Sequence, residues 1–196
     1  MLFMTSSRKP SQKTKILCKK LALFFDAAYM NRGKTSFSDI LESASGSVLL
    51  VVGEFHGNPG SLSFYDAGGK PFLSVYVSES YPEPISLGDL RFGRHVFCGT
   101  KDSAIFEALN RVLLDGAGDF IPSVSISDAK LDAKSEKEKP AKPAESKPLT
   151  GKEKNETFVR KLSVYDDRLD FSLNGNTFLR LYVKSVKTGA AAGGEQ

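Results

Sequence analysis

Three features of the 196-residue chain point to an α/β protein, in the α+β sense of a mixed sheet with helices packed on it. Apolar residues at i, i+3/i+4 spacing run through 11–28, a continuously apolar β-branched stretch fills 47–52, and period-two alternation marks 61–78 and 158–186. The length suits one domain, or two small halves sharing a core.

The elements follow in order. "MLFMT" is a short apolar strand. Pro10 then occupies a favoured early helix position, with Ser7 as the expected cap upstream. Through 11–28, Leu17, Cys18, Leu21, Phe24, Phe25 and Ala28 form one stripe, while Lys13, Lys15, Lys19 and Lys20 spread over the flanks and back. One face of this helix is core and the other is cationic, and Cys18 belongs to the core face as a buried thiol. After "NRGK", Phe37, Ile40, Leu41 and Ala44 repeat the helical spacing between a Ser36/Asp39 capping start and a Gly46 stop. "SVLLVV" is expected to be a strand covered on both faces. "SLSFYDAGGKPFLSVYVS" alternates around Gly68-Gly69, which predicts a hairpin with a primed turn. The first half is therefore β-α-(β)-α-β-β-β, the strand in brackets being optional.

A looser unit follows. "RFGRHVFCG" and "DFIPSVSIS" are strand candidates, and Ile105, Ala108, Leu109, Val112 and Leu113 form an amphipathic helix ended by Gly116. Residues 128–156 change abruptly to Lys, Glu, Ala, Ser and Pro, with eight lysines against seven acids. Such a polyampholyte cannot bury enough surface to fold, so a disordered insertion is expected there. Alternation returns through Phe158, Leu162, Val164, Phe178, Leu181 and Val183, with turns at Asp166-Asp167 and Asn174-Gly175. The tail, 189–196, is expected to fray.

A hydrophobic content of 40% without any apolar run near the length of a membrane span indicates a soluble, cytoplasmic protein with no membrane partner. No signal peptide is expected, because "MLFM" leads into "TSSRKPSQK" rather than an apolar core segment. Two cysteines, Cys18 and Cys98, make no disulfide framework, so a reducing compartment is the default. The charge is uneven. Residues 1–34 hold eight Lys and Arg against Asp26 alone, an excess of +7, which leaves −3 for the remainder of a chain with net charge +4. A basic end on a mildly acidic body suggests a polyanionic partner, although a solvated lysine-rich surface has the same composition.

"NRGKTS" contains the Gly-Lys-Thr of a phosphate-binding loop, but a Walker A loop needs a glycine five residues before Gly33, where this chain has Ala28. The preceding "KILCKKLALFFDAAY" reads as helix rather than strand, so nucleotide hydrolysis is a distant third function. Nucleophilic catalysis would need His56 or His95 as base. His56 in "GEFHGNPG" reads as a strand-to-strand turn residue, and His95 as a half-buried strand residue. "HVFC" lacks the second ligand pair of a metal site, and residues 53–60 are followed by a strand, unlike a dinucleotide fingerprint. No catalytic residue, metal, cofactor or small-molecule substrate is indicated.

What remains is a constellation of phosphate-friendly groups in "SSRKPSQKTK", "NRGK" and "FHGNPG". Hydroxyls, amides, exposed glycine N–H groups and cations are the types that contact nucleic-acid backbone. All three segments flank strands on the same side of the inferred sheet and can converge. RNA is favoured over DNA because no recognition helix for a major groove is evident, and no aromatic ribonucleoprotein motif is present.

The segments "TSSRKPSQKTKILCKKLALFF", "YMNRGKTSFSDI", "VVGEFHGNPGSLSFYD" and "GNTFLRLYVKSVKTG" together resemble the Brix domain of ribosome-biogenesis proteins, in particular short archaeal members related to the Imp four-type component of the small-subunit processome. The first three match in order and spacing over residues 4–66. Where the family usually carries Gly-Pro-Arg-Phe, this chain has Gly175-Asn176-Thr177-Phe178, with Arg180 and Lys184 as substitutes nearby. The resemblance implies two similar halves, each like an anticodon-binding domain, spanning about 1–80 and 81–188. It implies a non-catalytic protein that binds precursor ribosomal RNA and aids its processing and folding in small-subunit assembly, in the cytoplasm or, in a eukaryote, the nucleolus. Arg8, Lys9, Lys13, Arg32 and Lys34 would neutralise phosphates, Gly33 would offer its N–H, Ser11, Gln12, His56 and Asn58 would hydrogen-bond backbone or bases, and Arg180 would add a further contact. The rival reading is a scaffold that recruits other ribosome-assembly proteins.

Overall fold

The computed structural model describes residues 2–91, 94–99, 103, 105–107, 109–110, 120–122 and 158–189. Their strands form one mixed sheet: β1 (Leu2–Ser6), β2 (Ala28–Met30), β3 (Val48–Phe55), β4 (Asn58–Tyr65), β5 (Pro71–Ser80), β6 (Arg94–Gly99), β7 (Phe120–Pro122), β8 (Val159–Val164), β9 (Arg168–Leu173) and β10 (Asn176–Thr188). Across the sheet the order is β2-β1-β3-β4-β5-β10-β9-β8-β6-β7. β1 is flanked in parallel by β2 and β3, after which β3, β4 and β5 run antiparallel. The same pairing recurs in β6 to β10, and β5 meets β10 antiparallel at the centre. The expected α/β class with a mixed sheet is what the chain adopts.

Helix α1 (Gln12–Phe24) buries the expected stripe. Leu17, Cys18, Leu21 and Phe24 join Met4, Leu50, Val52, Phe64, Val75, Phe171, Phe178 and Leu181 in one core that spans both halves of the sheet. Its cap is Ser11 rather than Ser7, because Ser11 takes the extended conformation and its hydroxyl accepts the Thr14 N–H, whereas the Ser7 N–H is used by Val52 O at 2.8 Å. The helix also stops four residues short of the expected end. Asp26 adopts a left-handed φ of 50°, and the Ala27 N–H returns to Ala22 O at 2.8 Å, a Schellman closure. Ala28 therefore leaves the stripe and opens the optional strand, β2.

Helix α2 (Phe37–Ser43) lies on the opposite face, where Ile40 packs on Leu49 and Val51 with Phe3, Phe37, Leu41 and Tyr65 around them. β3 is thus buried from both sides, as its sequence predicts. The Ser36 cap accepting from Asp39 N–H forms as expected. The Gly68-Gly69 turn differs from expectation. Gly69 alone has positive φ, and the Asp66 carboxylate accepts the Gly68 and Lys70 N–H groups, so a five-residue Asp66–Lys70 loop replaces a primed two-residue turn. The positive φ of Gly69 selects glycine there, and a Cβ would also displace the end of the Leu41 side chain of α2. Primed turns occur instead at Asn174-Gly175, as expected, and at His56-Gly57, with both residues at positive φ in each. Of the third predicted helix, residues 105–107 and 109–110 are helical and bring Ile105 and Leu109 into the core. The insertion at 128–156 and the tail beyond Gly189 lie outside the described residues.

Candidate nucleic-acid interface

Because β1, β2 and β3 are mutually parallel, their carboxyl ends lie at one edge of the sheet. The β1–α1 connection (7–11), the β2–α2 connection (31–36) and the β3–β4 turn (56–57) all leave from that edge. α1 and α2 cover opposite faces, so the chain diverges above β1 and opens a crevice there, the position where open α/β sheets place ligands.

Arg8, Lys9, Pro10, Lys15, Asn31, Gly33 and Lys34 line this cleft of about 570 Å³. Four of the seven are cations, and none is acidic. Lys9 and Gly33 hold left-handed backbone at φ 51° and 55°, which turns each connection sharply. Arg8, Lys9, Gly33 and Lys34 are exposed. The hairpin is tied to α1 beside the cleft. One Glu54 carboxylate oxygen accepts the Ser11 N–H at 2.8 Å and the Thr14 hydroxyl at 2.7 Å, and Lys13 Nζ donates to Asn58 Oδ1 at 2.9 Å. Burial disfavours the charge on Glu54, but the Ser11 and Thr14 hydrogen bonds outweigh it and hold its pKa below the ordinary value.

The expected site residues therefore separate. Arg8, Lys9, Gly33 and Lys34 meet in the cleft, and Gln12, Lys13, His56 and Asn58 are exposed on the adjoining α1 start and hairpin. The Ser11 hydroxyl is engaged in the helix cap. Arg32 turns back on its own loop, with Nε donating to Thr35 O at 3.4 Å and its guanidinium 5.8 Å from the Phe37 ring. Arg180 stands apart on β10, four strands from β1, which is about 19 Å at the usual strand spacing. It is paired there with Asp170, Nε to Oδ1 at 2.7 Å and Nη2 to Oδ2 at 2.9 Å. Lys15 and Asn31 lie in the segments singled out by sequence but were not among the residues expected to make contacts. Lys15 lies one turn beyond the Ser11 cap, and its position relative to that cap was the available signal.

The Gly-Lys-Thr does follow a strand, contrary to the helical reading of the preceding residues, because the turn at Asp26 creates β2. It is still not a phosphate-binding loop of the Walker kind. Thr35 N–H closes a turn onto Arg32 O at 3.0 Å, and α2 begins only after a separate cap at Ser36. Other reactive groups are engaged in the fold. Burial pushes the Cys18 thiol up to about 12 despite a hydrogen bond with Tyr29, which disfavours the thiolate. His95 is more deeply buried than expected and its Nε2 lies 2.6 Å from Phe24 O, to which it donates. Among the described residues no cluster of three or more His, Cys, Asp or Glu could hold a metal, and no helix is long and apolar enough to cross a membrane.

Comparisons with known proteins match this architecture and the sequence. No protein-family model matches the chain. It is 48% identical over 82 residues to a probable Brix domain-containing ribosomal biogenesis protein of Methanococcoides burtonii, covering 42% of this chain and 53% of that one. A protein of the same description from Methanosarcina barkeri is 45% identical over 84 residues, covering 43% and 54%. Over this stretch the chain is similar to Brix domain-containing proteins. Its match spans about half the length of those curated relatives. The fold agrees with the crystal structure of Mil, an archaeal Imp4-like protein, at a TM-score of 0.60 with 20% identity over 96% of this chain and all of that one. It also agrees with a probable ribosomal biogenesis protein from Aeropyrum pernix K1, at a TM-score of 0.56 with 15% identity over 97% of each. The resemblance to Brix-domain proteins read from the residues agrees with this sequence similarity over 82–84 residues, and the fold is shared with the two solved structures.

Proposed function

We propose that this chain is a non-catalytic RNA-binding factor in ribosome assembly, which grips the sugar–phosphate backbone of precursor ribosomal RNA in the cleft above β1. The observation that carries the reading is the convergence of Arg8, Lys9, Lys15 and Lys34 with Asn31 and Gly33 on one concave surface that no acid lines. Cations neutralise phosphates, the Asn31 amide and exposed glycine N–H hydrogen-bond phosphate oxygens, and such contacts fix register without reading sequence. Relatives described as ribosomal biogenesis proteins supply the pathway. Lys13 and the His56–Asn58 hairpin extend the contact beyond the cleft. The cytoplasm is the expected compartment.

Binding of this kind is largely counterion release. With about five phosphates neutralised, the logarithm of the association constant should fall against the logarithm of salt with a slope of about −3.5 to −4.5. A filter-binding titration of wild-type protein on ribosomal RNA fragments measures it. A slope near zero overturns the reading.

A further inference from the structure

We infer that Phe55, flanked by His56 at the tip of the β3–β4 hairpin, is a stacking site for an unpaired nucleobase. The inference rests on the RNA-binding reading and adds what it lacks, a contact with a base rather than with phosphate.

Phe55 is the most exposed large apolar side chain among the described residues, at 69% of its surface. A single exposed phenylalanine is common and by itself means little. This one is preorganised. It ends β3 opposite Asn58, and the next two residues, His56 and Gly57, form the primed turn that fixes its direction. Its ring meets the His56 ring edge-on, with centroids 4.2 Å apart, so two aromatic rings crown one tip. Gly60 packs under it: a Cβ at that position would approach Phe55 Cβ to 2.9 Å. Glu54 and Asn58, on either side of the turn, tie the hairpin to Ser11, Thr14 and Lys13 at the rim of the cationic cleft. Backbone held in the cleft would therefore pass a fixed aromatic face.

The surroundings favour a nucleobase over a protein partner. An apolar docking patch needs contiguous area. Beside Phe55 stand His56 and its cross-strand partner Asn58, whose amide oxygen accepts from Lys13, and all three are polar or cationic and exposed. A nucleotide offers the flat π-surface of its base to the ring and its phosphate to the lysine, so one ligand satisfies both.

The test compares wild type, Phe55→Ala and Phe55→Trp for binding to an oligouridylate and to a fully paired RNA duplex across a salt series. Phe55→Ala should lose about 5- to 150-fold on the single strand, the range of one base stack. Its duplex affinity and salt slope should not change, since no charge is removed. Phe55→Trp should retain or exceed wild-type affinity. Wild type that binds with the expected slope while Phe55→Ala binds the single strand equally well overturns the inference alone. The same result with loss of a protein partner would reassign the ring to protein recognition. Wild type that binds neither RNA removes the underlying reading and this inference with it.

Discussion

At Glu54 a single carboxylate joins three pieces of chain: the end of β3, the Ser11 cap and the first turn of α1. Its charge lies at the positive pole of the helix, whose own first turn contains no acid. The folded pKa is below the ordinary 4.5, so its contribution is fully present above that value and is lost as pH falls through the lower folded value. Glu54→Gln should therefore destabilise the protein by about 1 kcal/mol at neutral pH. The difference from wild type should shrink toward zero as pH falls from neutral through the lowered folded value. Urea unfolding of both proteins across that range checks it, and a difference independent of pH would contradict the assigned role. Nothing in the local sequence announces this contact. Glu54 and Ser11 are 43 positions apart, and only the parallel pairing of β1 with β3 brings them together.

Among the elements, α1 is held by the far half of the chain at its carboxyl end. Arg160 on β8 forms a bidentate pair with Asp26, both bonds at 2.7 Å, and donates to Leu23 O at 2.8 Å and Leu90 O at 3.1 Å. His95 of β6 adds its bond to Phe24 O, and the Phe24 ring lies edge-on 5.1 Å from Phe171 of β9. A buried cation at a helix carboxyl terminus complements the dipole there. Arg160→Ala should cost about 3 kcal/mol in denaturant unfolding, because orphaned carbonyls and a void replace a paired side chain. A loss below about 1 kcal/mol would show that the junction is incidental. Here the legibility of the chain varies with physics. The stripe of α1 and the Asn174-Gly175 turn were readable because periodicity and φ preference are local properties. The end of α1 was not, since Asp26 occupies the left-handed site where glycine usually signals a stop, and its partner is 134 residues away. β2 was only optional for a related reason: three residues show no period, and pairing with β1 selects them. Arg160 was half legible. The alternation through Phe158, Leu162 and Val164 points it inward, although a cation there is unexpected from pattern alone.

For the whole molecule, one sheet carries both repeats of the strand pattern, and one core packs under it, including the edge at β1, β2 and β3. The basic bias of residues 1–34 points to this edge, where the first two expected segments meet in the cleft and the hairpin adjoins them. Composition could not distinguish Lys34, which lines the cleft, from Arg32, which folds back on its loop, because that choice is made by the Thr35 carbonyl and the Phe37 ring. The claim that this edge grips RNA backbone is tested most directly by one titration, comparing wild type with the triple variant Arg8→Ala, Lys15→Ala, Lys34→Ala on the same ribosomal RNA fragment over a salt series, with folding verified by circular dichroism. Each lost phosphate contact should reduce the salt slope by roughly one unit, so the variant should bind more weakly at low salt with a slope two to three units shallower. A folded triple variant that binds as tightly as wild type at every salt concentration would contradict the account.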